Sequence, residues 1–455
     1  DLSSAENAKI SGNVNVGEVN KVDVKGGIAA IDGEENTGNL SIGTANDNVV
    51  VSGGVAGDMN VTDAKKDVTV DTIGKNLTVG MLNDGTIKAD EVTGTVKVAG
   101  TGTVDVAKAG NVDVATADGK LTIDGQKVST NGSLSIKGTT VDEGGQIHVG
   151  GIDIDSTVDG FTGDLTVDSN SGKIDVSTID GILTVNDAQE DVNVSASAKA
   201  VNATLNGGDL NISNAESTAK VDNVAVSGTG NVLIDNNSVE GSVNVGSLDG
   251  KLTAKNAQGN INIATSANEI EATLNGGNIN AENATIDSAK ISTAEGAKGD
   301  VVIGTNTGSI ELGTLDGKLT ANNAQGDISV AEKAAEVEAA LNGGNIGGKE
   351  IGTITVKDNV DGSSSQGSIY IDKVGTIKLD GDLNGDIFVN EEVNKIDAEG
   401  KKVSGDVILE KIASTEESAG SAKIGTVEGD VIVGTLDKNA ELNVDTVKDN
   451  AIIGS

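Results

Sequence analysis

The sequence predicts an all-β protein that folds as a parallel β-helix, or β-solenoid, of short three-residue strands. The first observation is a triplet of an apolar, a usually polar and an apolar residue that recurs about every nine residues, as in Leu252-Thr-Ala, Ile261-Asn-Ile and Ile270-Glu-Ala. The second is a duplication, because the stretch that begins at Leu248 is repeated 67 residues later at Leu315. A repeat nested over a short strand-and-turn unit is typical of solenoids.

The third observation is that the chain of 455 residues contains 63 glycines and no proline. Proline cannot donate a backbone hydrogen bond to a β-ladder, so a chain that runs almost continuously through ladders has few positions for it. Glycine, asparagine and aspartate between the triplets tolerate the left-handed backbone angles of tight turns. The same residues favour short strands joined by turns.

Side chains alternate between the two faces of a strand, so the outer members of each triplet face the interior and the middle member faces water. We expect each coil to contain two or three triplets. Seven triplets separate Leu252 from Leu319, a number that neither two nor three divides. An antiparallel sandwich is the alternative fold, although it favours longer strands and hairpin signals. The regular triplets argue against disorder.

The rhythm of the triplets divides the chain into five segments. We predict an N-terminal cap or arm at residues 1–12, regular coils at 13–123, looser coils with longer loops at 124–164, regular coils with the duplicated repeats at 165–349, and irregular coils at 350–455. Residues 331–340 have strong helix propensity, but they align with a strand of the preceding copy, so we predict a strand there. A short helix is conceivable only near residue 413.

Composition excludes several classes of function. The net charge of -38 argues against nucleic acid as a partner, because phosphates attract clustered cations. Cysteine is absent, which excludes disulfides and thiol chemistry. No run of apolar residues is long enough for a transmembrane helix. The chain begins with Asp rather than Met, and we expect a mature exported protein whose signal has been removed.

Few residues have the character of catalytic groups. His148 is the middle member of a triplet, and the position predicts a solvent-facing histidine. Asp153 and Asp155 share one face of a strand, as a general acid and base would, but such pairs arise by chance among 70 acidic residues. We therefore expect a protein that is not an enzyme, with no catalytic residues.

One segment matches a specific motif. Residues 380–391 read DGDLNGDIFVNE and fit the twelve-residue calcium loop, with glycine at the sharp turn and glutamate at the last position. The candidate calcium ligands are Asp380, Asp382, Asn384, Asp386 and Glu391. The flanking sequence predicts strands rather than the helices of an EF-hand, and Asp-Gly and Asn-Gly turns also suit a solenoid. Calcium is the one cofactor that the sequence indicates.

Units of the form Gly-Asp-Val-x-Val and Gly-Asn-Leu-Thr-Val, with close variants, begin for example at Gly57, Gly94, Gly110 and Gly405. In these units the chain resembles secreted β-solenoid proteins of prokaryotes, including β-helical adhesin domains and the cysteine-free proteins of surface layers. The resemblance implies an extracellular, structural role at the cell surface, and it carries over no catalytic residue.

These observations favour three functions, in a stated order. The first is a structural subunit of an extracellular filament or cell-surface layer, which assembles as a homopolymer through the open ends of the solenoid, where unpaired strand edges invite pairing. The second is an adhesin or stalk that binds cell-surface glycans. The third and most remote is a β-helical carbohydrate-active enzyme.

Overall fold

The structure is a computed structural model that describes residues 2–3, 9–34, 37–106, 108–116, 121–124, 127–128, 134–137, 146–152, 155–159, 164–213, 221–235 and 241–454. The regular secondary structure of these residues is entirely β, with no helix among them. Their strands pair in parallel with strands of the next coil. The predicted all-β parallel β-helix is therefore confirmed.

The chain divides into two compact units, Asp1–Leu233 and Ile234–Ser455. The strands of the first unit, the last of which ends one residue beyond it, are β1 Leu2–Ser3, β2 Ile10–Ser11, β3 Val14–Val19, β4 Val22–Val24, β5 Ile28–Ala29, β6 Leu40–Ala45, β7 Val49–Val51, β8 Met59–Ala64, β9 Val68–Ile73, β10 Leu77–Val106, β11 Lys108–Thr116, β12 Leu121–Asp124, β13 Lys127–Val128, β14 Leu134–Lys137, β15 Gln146–Ile152, β16 Ser156–Asp159, β17 Asp164–Asn170, β18 Ile174–Thr178, β19 Ile182–Ala188, β20 Val192–Asn206, β21 Leu210–Ile212, β22 Val221–Thr229 and β23 Val232–Ile234.

The strands of the second unit are β24 Val243–Ala257, β25 Ile261–Leu274, β26 Ile279–Thr293, β27 Val301–Asn306, β28 Ile310–Ala324, β29 Ile328–Leu341, β30 Ile346–Lys357, β31 Ser365–Gln366, β32 Ile369–Leu379, β33 Leu383–Asn384, β34 Ile387–Val403, β35 Val407–Ile412, β36 Ser421–Val427, β37 Val431–Leu436, β38 Glu441–Val447 and β39 Ala451–Ile453. Many strands are longer than the predicted three residues, because pairing continues around the corners between triplets.

Successive triplets of the second unit belong alternately to two parallel sheets. The first sheet contains the triplets that begin at Val243, Ile261, Ile279, Val301, Leu319, Val337, Ile354, Ile377, Ile396, Ala422 and Leu442. The second sheet contains those that begin at Leu252, Ile270, Ala289, Ile310, Ile328, Ile346, Ile369, Ile387, Val407, Val431 and Ala451. A coil of the second unit therefore contains two triplets rather than three.

The first unit has the same register where its coils are regular. Leu165 pairs with Leu183, and Ile174 pairs with Val192, in each case 18 residues later in the sequence. The segments predicted at 1–12 and 124–164 lie partly outside the described residues. Within the first of them, Leu2–Ser3 pairs with β4 and Ile10–Ser11 pairs with β5.

In several half-coils, each made of one triplet and the corner that follows it, the interior is set by a six-residue pattern. In β27, Val301, Ile303 and Asn306 point inward and are buried, whereas Val302 faces outward and is half-buried. Inward residues of successive coils stack on one another at the spacing of parallel strands, about 4.8 Å. Burial of stacked valine, isoleucine and leucine side chains is the main apolar contribution to stability.

The sequence suggested helix in two segments, and the structure has helix in neither. Residues 331–340 lie inside β29, so the repeat prevails over their helix propensity and the prediction of a strand is confirmed. The conceivable helix near residue 413 is wrong. Residues 413–420 form a loop in which Ser414 Oγ accepts a hydrogen bond from the Gly420 N–H and Asp437 Oδ2 accepts one from the Ser414 N–H. Serine and aspartate side chains of this kind compete with helical backbone bonds.

Candidate interaction surfaces

A column of short polar side chains runs along one corner of the second unit, just before the triplets of the second sheet. From the second member onward, each backbone N–H of the column donates to the side-chain oxygen one coil earlier, at 2.8 to 2.9 Å. The members are Asp327, Asn345, Ser368, Asp386, Asp406, Asp430 and Asn450. We call this column the corner ladder, and it ties each coil to the next in addition to the β-sheet bonds.

The corner ladder explains the Gly-Asp-Val units of the sequence. A Cβ atom at Gly405 would collide with Oδ1 of Asp386, and one at Gly429 would collide with Oδ1 of Asp406. Glycine before the aspartate therefore leaves room for the side chain of the preceding coil. The aspartate in turn accepts the hydrogen bond of the following coil.

Two of the predicted calcium ligands accept backbone hydrogen bonds from the next coil. Asp386 Oδ1 accepts a hydrogen bond from the Asp406 N–H at 2.9 Å, and its Oδ2 accepts one from the Tyr370 hydroxyl at 3.2 Å. Asp382 Oδ1 accepts a hydrogen bond from the Lys402 N–H at 2.9 Å. Asp386 and Asp382 therefore each bind a backbone N–H of the neighbouring coil.

The other three predicted ligands lie apart along the coil. Asp380 forms an ion pair with Lys378 at 2.6 Å, and Asn384 is exposed in β33. Glu391 is exposed in β34, after the chain has passed through the extended triplet that begins at Ile387. An extended triplet inside the segment does not fit a loop that wraps around one cation. Within the described ranges there is no group of three or more His, Cys, Asp or Glu side chains that could hold a metal ion, and calcium binding stays a prediction.

The other sequence candidates lie in the first unit. His148 is in β15 and pairs in register with Thr166 of β17, and its side chain lies outside the described part of the structure. Asp153 also lies outside the described residues. Asp155 is exposed, and its Oδ1 accepts a hydrogen bond from the Lys173 N–H at 3.0 Å. Asp155, the described member of the pair, therefore binds a backbone N–H of the neighbouring coil.

Two equivalent ion clusters mark the duplicated copies. Lys251 contacts Glu269 at 2.7 Å and Glu271 at 2.6 Å. Hydrogen bonds to Glu269 and Glu271 raise the pKa of the Lys251 ammonium, and the hydrogen bond from Lys251 lowers the pKa of the Glu271 carboxyl. Lys318, 67 residues after Lys251, contacts Glu336 and Glu338 in the same way. The duplication therefore preserves a surface contact as well as core positions.

In the last coil of the second unit, inward-facing side chains are more exposed than their register partners in the preceding coil. Its strands β38 and β39 pair with β36 and β37 on one side. Ile453 is 57% exposed, although its register partner in the preceding coil, Val433, is fully buried. Val444 is likewise half-buried, whereas its partner Ile424 is buried. Among the described residues, β38 and β39 pair only with β36 and β37, and this coil carries exposed apolar side chains.

A polar groove of about 490 Å³ lies elsewhere on the second unit. Its lining includes Thr285, Thr305, Asn322, Asn323 and Asn342. Asn323 Nδ2 donates to Thr305 Oγ1 at 3.2 Å, and its Oδ1 accepts from Asn342 Nδ2 at 3.0 Å. The loop at residues 358–364 forms one wall and carries Val360, which is 88% exposed.

Comparison with known proteins finds no matching family model, no matching curated protein and no matching solved structure. The part of the chain that the structure describes has no helix long and apolar enough to cross a membrane.

Proposed function

We propose that this chain is a structural subunit of an extracellular filament or cell-surface layer and that it assembles head to tail. The observation that carries the proposal is the open face of the last coil, where Ile453 and Val444 are more exposed than their buried counterparts one coil earlier. An unpaired strand edge that also carries apolar side chains favours pairing with another strand.

A second copy of the chain offers a matching face in its first unit. Val14 and Val16 of β3 are half-buried, although their register partners Leu40 and Ile42 in the next coil are buried. Contact between these two different faces is heterologous, so each added copy leaves one face of either kind free and the assembly propagates. Such a contact would continue the parallel ladders from one copy into the next.

The extracellular location is part of the proposal and rests on the resemblance of the Gly-Asp-Val units to those of secreted surface proteins. The acidic surface opposes side-to-side aggregation, although charges are screened over about 10 Å at 0.1 M salt. Polymerisation through the ends is therefore expected to persist in moderate salt, where long-range repulsion is weak.

Sedimentation velocity of the purified chain over a range of concentrations and salt tests the proposal, together with negative-stain microscopy. We expect species much larger than the 45.3 kDa chain, seen as narrow filaments or ordered sheets. A single species of 45.3 kDa at every concentration would contradict head-to-tail assembly.

A second candidate function is glycan binding at the polar groove of the second unit. Amide and hydroxyl side chains such as Asn323 and Asn342 offer the donors and acceptors that neutral sugars require, and Val360 adds an apolar contact beside them. Binding of neutral oligosaccharides to wild type and to Val360→Ser and Asn342→Ala variants would test it. Equal binding by all three proteins would contradict a glycan site at this groove.

A further inference from the structure

The outer face of the second sheet carries an apolar column in the last coils of the second unit. The middle residues of five successive triplets are in register there, each paired with the next. They are Tyr370, Phe388, Ile408, Ile432 and Ile452. We call this column the apolar stripe. All five side chains point away from the core, because the residues on either side of each in its triplet point inward.

The same outward position is polar in earlier coils of the same sheet. It is occupied in turn by Thr253, Glu271, Lys290, Glu311 and Ser329, before Gly347 precedes the stripe. Outward strand positions that face water gain nothing from an apolar side chain, since such a side chain is stabilised by burial. Five consecutive departures in one column therefore indicate a surface that another molecule covers.

The stripe is exposed at its two ends and half-buried between them. Tyr370 is 46% exposed and Ile452 is 55% exposed, whereas Phe388, Ile408 and Ile432 are half-buried. The rings of Tyr370 and Phe388 pack with their centroids 6.4 Å apart, and the Tyr370 hydroxyl donates to Asp386, which holds the ring in place. With coils about 4.8 Å apart, five coils give a stripe about 19 Å long.

Acidic residues flank the stripe on both sides. The flanking carboxylates are Asp372, Asp386, Glu391, Glu392, Asp406, Glu410 and Asp430. The lysines near the stripe include Lys373, Lys411 and Lys448, which form ion pairs with Glu392, Asp437 and Glu428 respectively. The rim of the stripe is therefore strongly negative.

We propose that the apolar stripe is a docking surface for a polypeptide segment with an apolar face flanked by lysine or arginine. A second copy of this chain would bring the same carboxylates against the rim, and like charges across an interface are unfavourable. Anionic lipid headgroups would be repelled for the same reason. Lysine or arginine side chains on the partner neutralise the carboxylates of the rim, while the partner's apolar face covers the stripe. This contact is separate from the head-to-tail assembly through the coil ends.

The size of the stripe indicates a transient contact. Stable interfaces bury about 800 Å² on each partner, which is more than five side chains provide. The aromatic pair at one end, Tyr370 and Phe388, is of the residue type that contributes most to binding energy at protein interfaces. Because the rim is charged, binding is expected to weaken as salt rises.

Titration with synthetic peptides tests the docking surface. One probe is an amphipathic helix of about 18 residues with leucine on one face and lysine on the other; a second probe has glutamate in place of lysine. The stripe variant is Phe388→Thr/Ile408→Thr/Ile432→Thr, since threonine suits outward strand positions elsewhere in the sheet. The matched control is Lys378→Thr/Asp397→Thr/Lys423→Thr on the outer face of the first sheet.

The leucine–lysine peptide should bind wild type and the control variant alike, and it should bind the stripe variant at least about tenfold more weakly, a difference of about 1.4 kcal/mol. Circular dichroism should confirm that all three proteins are folded. Equal binding to the stripe variant, or equal binding of the leucine–glutamate peptide, would overturn the proposal. Self-association of wild type that the stripe variant abolishes would also overturn it, because the occupant would then be a second copy.

Discussion

Leu252 and Leu319 occupy the same position in two copies of one repeated sequence, yet they lie on opposite sheets of the second unit. Both are fully buried as the first residue of a triplet. The duplication spans seven triplets, and each coil contains two, so one copy is displaced from the other by three and a half coils. Seven triplets do not make a whole number of two-triplet coils. The structural unit that repeats is therefore the half-coil, which contains one triplet.

Equivalent environments predict equivalent effects of mutation. Leu252→Ala and Leu319→Ala should each lower the free energy of unfolding by about 3 kcal/mol, because each leaves a cavity between stacked coils. The controls are Thr253→Ala and Thr320→Ala, whose side chains face outward and should change stability by about 0.5 kcal/mol or less. Chemical denaturation measures all four. A large effect at one leucine and none at the other would contradict the half-coil equivalence.

The fold could be predicted from the sequence because its determinants are local. The triplet of Ile310, Glu311 and Leu312 shows which residues point inward without any knowledge of the next coil. The number of triplets per coil was not predictable, because nine-residue units can close a coil of two or three sides. Leu252 pairs with Ile270, which is two triplets later, and this pairing shows that a coil contains two triplets.

The surfaces were harder to predict. The calcium motif at residues 380–391 has the right residue types, but one of its aspartates, Asp386, belongs to the corner ladder and accepts a backbone hydrogen bond from the next coil. The apolar stripe has a signal in the sequence, since the triplets around Tyr370 and Ile408 have apolar middle residues. Their alignment into one column becomes visible only with the register, because loops of different length separate them.

The corner ladder makes a second prediction. Asp406→Ala removes the acceptor of the Asp430 N–H and should lower the free energy of unfolding by about 1 kcal/mol. Asp406→Asn keeps the Oδ1 acceptor and should preserve most of that stability. Denaturation of the two variants side by side measures the difference. Equal loss in both would show that the charge of Asp406, rather than its hydrogen bond, stabilises the fold.

The pKa of Glu271, which its hydrogen bond with Lys251 lowers, predicts a pH dependence. A carboxyl whose pKa is lower in the folded state stabilises the fold above its unfolded pKa of about 4.3, and that contribution is lost as pH falls through the folded value. Wild type should therefore exceed Glu271→Gln in stability at neutral pH, with the gap closing in acid. Denaturant titrations at several pH values measure the gap, and a constant difference down to acid pH would contradict this role.

Calcium binding by Asp380, Asp382, Asn384, Asp386 and Glu391 remains a prediction of the loop pattern. Titration calorimetry of wild type and Glu391→Gln with calcium chloride tests it, since loss of the bidentate glutamate should weaken binding. Identical heats, or no heat with wild type, would show that the segment is a turn of the solenoid.

The open face of the last coil is the basis of the proposed assembly, and paired substitutions test it most directly. Val444→Lys/Ile453→Lys places charges on the apolar inward side of that coil, whereas Asn443→Lys/Thr446→Lys places the same charges on its outward side. In sedimentation velocity at moderate salt, wild type and the outward variant should form polymers and the inward variant should remain at 45.3 kDa. Polymers of equal size in all three proteins, or monomers in all three, would contradict assembly through this face.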